Sequence, residues 1–99
     1  MKTVYISGKI TDESKEKESK NIDLFFFEEA KLIYQGYEVI NPAAVVIHEG
    51  TWEDYLAYDL HLIMTFRPTI WLLPNWKESR GARLEVAFAE KLGLQVVNK

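Results

Sequence analysis

Cysteine is absent from the chain, which excludes a disulfide framework, a thiolate zinc site and a cysteine nucleophile. Long apolar runs are absent too. None approaches the roughly eighteen residues of a membrane span, and the opening MKTVYISG lacks the basic segment, apolar core and cleavage site of a secretory signal. Positive charge is in short supply. Twelve Lys and Arg against fifteen Asp and Glu give a formal charge of −3, which leaves no electrostatic footprint for long nucleic acid or an anionic membrane. These absences predict a soluble, cytoplasmic protein that binds neither, although a small anionic ligand can still find a local basic pocket.

What is present suits one domain over residues 1–99. Of the 99 residues, 47% are hydrophobic and 13% aromatic, enough for a single core that buries roughly 60–70% of the unfolded surface. TVYIS (3–7) is a β-branched and aromatic run that ends at Gly8, a buried strand entering a turn. KITDESKEKESK is polar and charge-mixed, and reads as a mobile loop or a solvated helix start. From about Asn21 the pattern becomes helical, with Ile22, Phe26, Ala30 and Ile33 on one stripe and Gly36 at the C-terminal cap. The triplet Phe25, Phe26 and Phe27 is wider than one stripe requires. Either the helix is covered on two sides or it contributes to a subunit interface.

YEVIN (37–41) is a second strand stopped by Pro42. Thr51 caps a helix starting at Trp52, whose stripe runs through Tyr55, Leu56, Asp59, Leu62, Ile63 and Phe66. Arg67-Pro68 ends it, and TIWLLP (69–74) is a third strand, apolar on both faces as strands of covered parallel sheets are. The next helix contains ESRGARLEVAFAE, Gly93 closes it, and LQVVN is a fourth strand. Alternation of this kind predicts a three-layer α/β domain of flavodoxin or Rossmann type, with a four-stranded parallel sheet and helices on both faces. Ligands of such folds bind beyond the carboxyl ends of the strands, where this chain has Ser7, Gly8, Lys9, Asn41 and Asn75.

Two residues break the helical stripes. Glu85 stands among Gly81, Ala82, Phe88, Ala89 and Leu92, and a carboxylate on such a face must be paired, protonated or turned to a cavity. Arg80 or Arg83 could satisfy it. Asp59 repeats the anomaly on the preceding helix, and two such acids flanking one cleft have the chemistry of glycosidic bond cleavage, one ionised and one carrying a proton. Ser79, Arg80 and Gly81 open the last helix, whose free N–H groups suit a phosphate or sugar hydroxyl, although an ordinary cap explains the serine equally well. Tyr5 could reach a catalytic carboxylate or simply pack in the core. His48 and His61 have no ligand spacing, so no metal is expected. Trp71 reads as core, while Trp52 and Trp76 lie near the ligand face.

VYISGKI, YLAYDLHLI and SRGARLEVAFA, in that order, resemble the nucleoside 2-deoxyribosyltransferase-like superfamily, which includes deoxynucleoside monophosphate N-glycosidases. The likeness spans nearly the whole chain. It implies a flavodoxin-like enzyme without metal or redox cofactor, whose small-molecule substrate is a 2′-deoxynucleoside or its 5′-monophosphate. By the same resemblance Glu85 is the nucleophile at the anomeric carbon, and Asp59 contacts the sugar or assists protonation of the leaving base. Tyr5 orients the glutamate, Gly8 is the glycine of the first loop, and Ser79 helps bind the 5′-phosphate. Lys9, Gly81 and Asn75 complete the expected substrate-binding set, and the resemblance implies a homo-oligomer, a dimer. The competing expectation is a binding module that holds a nucleotide in the same cleft without turning it over.

Overall fold

The computed structural model describes residues 2–99. Its strands are β1 (Thr3–Ser7), β2 (Glu38–Ile40), β3 (Thr69–Leu72) and β4 (Val96–Val97), separated by α1 (Lys15–Tyr34), α2 (Trp52–Phe66) and α3 (Arg80–Lys91). Every ladder is parallel, and the order across the sheet is β2-β1-β3-β4. That order is a flavodoxin-like α/β arrangement, with its switch point between β1 and β3.

Right-handed crossovers leaving β1 in both directions put α1 on one face and α2 with α3 on the other. The strands supply both cores because successive side chains point to opposite faces. Val4, Ile6 and Leu73 join Phe25 and Leu32 of α1. Tyr5, Ile70 and Leu72 join Ile63 of α2 and Val86 and Ala89 of α3. Tyr5 and Ser7, two residues apart, therefore face α3 together.

Helix ends follow local chemistry. Thr51 and Asp54 form a reciprocal capping box at the start of α2, satisfying two donors that would otherwise be orphaned. At the other end of α1, Gly36 (φ +96°) sends its N–H to Ile33, while Tyr37 bonds Leu32. Gly93 (φ +75°) and Leu94 repeat this on Glu90 and Ala89 of α3. Both are left-handed terminations that favour glycine. Leu94 thus closes a helix instead of opening a strand, which is why β4 covers two residues and not the expected 94–98. β2 and β3 are likewise shorter than predicted, at 38–40 and 69–72.

Two further expectations need correction. α1 begins at Lys15, not Asn21, because Ser14 accepts from the Lys17 N–H, acids occupy the first turn and Glu16 pairs with Lys20, each favourable at a helix N-terminus. The buried stripe of α1 is also rotated. Phe25 and Leu32 are in the core, whereas Phe26, Ile33 and Ala30 face outward, because polar residues of the inner face find partners: Glu28 accepts from the Trp71 indole and Glu29 from Asn41. On α2, Trp52 and Phe66 are exposed at the two ends of an otherwise correct stripe.

Gly8, at the end of β1, is fixed by crowding. A Cβ there would lie 2.9 Å from Leu73 Cβ and 3.0 Å from Asn75 Oδ1. Gly8→Ala should therefore cost about 1–3 kcal/mol in urea denaturation. Gly81→Ala, whose added Cβ meets nothing closer than 3.8 Å, should leave stability unchanged or slightly raised by the better helix former.

Candidate active site

Beyond the carboxyl end of β1, a cavity of about 540 Å³ opens between the N-terminal halves of α2 and α3. It is lined on one side by Gly8 and Lys9 and on the other by Trp52, Ser79 and Arg80, and both Asp59 and Glu85 reach it. The size falls within the range of small-molecule sites.

Glu85 is 5% exposed. Its two oxygens are held separately: the Tyr5 hydroxyl donates to Oε2 at 2.8 Å and the Ser7 hydroxyl to Oε1 at 2.7 Å. These short hydrogen bonds offset part of the cost of burying a carboxyl group. Neither arginine serves the glutamate. Arg80 stacks on the Trp52 ring, 4.6 Å from its centroid, and Arg83 donates to the Lys77 carbonyl. Tyr5 is both a core residue and a site residue, fully buried yet hydrogen-bonded to the carboxyl group. Ser7 was placed at a strand end by the sequence but given no role. Its signal was the period of two from Tyr5, readable only once α3 was known to pack on that face.

Burial is the main force on the acids. It pushes Glu85 up to about 8, helped by the nearby charge of Asp59, while the hydroxyls of Ser7 and Tyr5 pull the other way. Burial also raises Asp59 to about 6, partly opposed by its interactions with Glu85 and Tyr5. Tyr5 is raised well above its ordinary value, first by burial and then by the charges of Glu85 and Asp59. Across neutral pH the interacting pair thus holds one proton between its two carboxyl groups. Two acids with separated proton affinities in one cavity can supply a nucleophile and a proton donor.

The remaining predicted residues divide. Ser79 lines the cavity, but its hydroxyl caps α3, accepting from the Ala82 N–H at 3.0 Å. Gly81 also lines the cavity, beside Trp52. Lys9 lies at the edge with its ammonium paired to Asp12 at 3.1 Å. Asn75 does not line the cavity: its Oδ1 accepts from the Lys9 N–H and its Nδ2 bonds Asn21, so it braces the first loop from behind. Trp76 packs on the core instead of the cavity, and Trp71 is half-buried. His48 and His61 are exposed, and among the described residues no cluster of His, Asp and Glu could hold a metal ion. Among the same residues no helix is long and apolar enough to cross a membrane.

Fold and site define a flavodoxin-like domain with a buried Glu85 and a half-buried Asp59 at its switch point. The chain belongs to the family described as "Domain of unknown function (DUF4406)", which matches residues 2–98. No curated protein matches it.

The acid pair carries a stability signature. Both carboxyl groups bind protons more tightly folded than unfolded, so the native state holds more protons from the ordinary carboxylate range up to about 8, and stability falls as pH rises through that window. Asp12, lowered by the Ser14 N–H and Lys9, acts with the opposite sign but in more acid solution. The melting temperature should decline from pH 5 to pH 8.5, and Glu85→Gln should flatten the decline. A melting temperature that climbs over this range would contradict the site's electrostatics.

Proposed function

We propose that the protein cleaves the N-glycosidic bond of a 2′-deoxynucleoside or its 5′-monophosphate. The observation that supports this best is Glu85, buried and held on each oxygen by a separate hydroxyl, in a nucleotide-sized cavity with Asp59. The likeness of VYISGKI, YLAYDLHLI and SRGARLEVAFA to the nucleoside 2-deoxyribosyltransferase-like superfamily points to the same chemistry.

Attack requires the pair's proton to sit on Asp59, leaving Glu85 a carboxylate that the Tyr5 and Ser7 donors stabilise. Glu85 attacks C1′ of the deoxyribose, the C1′–N bond breaks with its electron pair moving to the base nitrogen, and Asp59 delivers the proton to the departing base. Water or a second base attacks C1′ of the resulting ester, giving up its proton to the Asp59 carboxylate as the C1′–O bond breaks and returns Glu85 as a carboxylate, so configuration is retained. Arg80 and Trp52 at the cavity wall offer a cation and a stacking face to the ligand, and the start of α3 offers free N–H groups to an anion. No metal or redox cofactor enters this scheme.

A second reading keeps the cavity and drops the turnover. Its support is the burial of Glu85, which favours a neutral carboxyl group and suits a hydrogen-bonding residue in a binding module as well as an acid. One experiment separates the two: the pure protein is incubated with the four 2′-deoxynucleosides and their 5′-monophosphates, and base release is followed chromatographically. Release should fall at least 10³-fold in Glu85→Ala and Glu85→Gln, as expected for loss of a covalent nucleophile. Ser7→Ala should lower kcat more than it changes KM. Ligand-dependent thermal stabilisation without release would favour the binding module. Activity should be bell-shaped in pH with limbs near 6 and 8, the range in which the pair carries a single proton.

A further inference from the structure

α1 presents two apolar faces, and only one is used by the fold. Phe25 and Leu32 point into the core. On the opposite side Phe26 (45% exposed), Phe27 (65%), Ile33 (55%) and Tyr34 (93%) stand in solvent, with the exposed Ala30 between them. Their spacing of one, four, seven and eight residues from Phe26 forms a continuous stripe on a helix. Isolated surface hydrophobics need no explanation, but a stripe of three aromatics and an isoleucine does.

We infer that this face of α1 docks on the same face of a second copy of the chain, the two helices running antiparallel about a two-fold axis between Phe27 and Ala30. The sequence of the stripe is complementary to itself in that orientation. Phe27 of each copy meets Ala30 of the other, a large side chain against a small one. Asp23, exposed at the N-terminal end of the stripe, comes to the end of the other helix that carries Lys31 and the Tyr34 hydroxyl. A parallel pairing would instead set Asp23 against Asp23. Within its own chain the half-exposed Lys31 pairs with Glu28 at 3.4 Å. At roughly 150–250 Å² per aromatic side chain the exposed fractions amount to several hundred Å² on each copy, so a pair buries on the order of 1,000 Å², the lower bound of a specific interface.

The inference is independent of the chemistry assigned to the cavity, since the stripe lies on the face of α1 opposite its core contacts. Sedimentation equilibrium of the full chain from about 1 μM to 1 mM tests it. The average mass should rise with concentration from the chain mass of 11.5 kDa toward twice that value. Phe27→Asp should stay monomeric throughout with an unchanged circular dichroism spectrum and melting temperature at low concentration, because its side chain is not part of the core. Asp23→Lys should weaken the dimer at least tenfold, and Asp23→Lys combined with Lys31→Asp should restore it. A wild-type chain that remains monomeric at 1 mM overturns the inference, as does a dimer that Phe27→Asp leaves intact.

Discussion

A carboxyl group with almost no access to solvent sets the terms for the rest of this domain. Left alone, Glu85 would cost several kcal/mol, and the fold answers with two hydroxyls that arrive from the neighbouring strand at hydrogen-bond distance. Those donors favour the charged form, while burial and Asp59 favour the neutral one. The result is a carboxyl group on which opposing forces act. A salt bridge to Arg80 or Arg83 would have fixed the charge outright. Both arginines are engaged elsewhere, so the carboxyl group remains adjustable.

The topology makes this arrangement possible. Because β1 is central, flanked in parallel by β2 and β3, the chain leaves it in one direction and crosses back in the other, and a gap opens at the carboxyl end of β1 where the two sets of connections diverge. Gly8 must be small there because Leu73 and Asn75 crowd it. The starts of α2 and α3 then form the opposite wall, capped by Thr51 and Ser79. Asp59 and Glu85 sit far enough down their helices to be shielded and still reach the opening. The acids and the hydroxyls that bond Glu85 lie on one side of the sheet, and the other side adds apolar lining such as Phe25. There α1 packs through Phe25 and Leu32 and leaves its aromatic stripe outward, away from the acid pair.

The proposed glycosidic chemistry is supported by two acids that reach one cavity and are both raised by burial. The resemblance of three sequence segments is an expectation that concerns the same residues, Tyr5, Asp59 and Glu85. Membership of the DUF4406 family brings no assigned activity with it, so the weight rests on the site.

Much of this was legible in the sequence because it depends on local chemistry. Alternation of β-branched runs with helical stripes was sufficient for the layered α/β fold. Glycines just past two helices announced left-handed caps, and two acids on apolar stripes exposed the site. The start of α1 was missed because a capped, charge-paired first turn has too few apolar residues to show periodicity. Its orientation was missed because inner-face glutamates look like solvent residues until Trp71 and Asn41 are seen to bond them. The role of Ser7 was hidden for a related reason: period two says that it shares a face with Tyr5, but not which helix covers that face. The sequence by itself determined the order and type of the main elements and which acids are out of place, because both follow from local periodicity. Only the tertiary structure decided which groups meet, because Tyr5 and Ser7 lie 80 and 78 positions from Glu85, and contacts at that separation are set by the packing of α3 on β1.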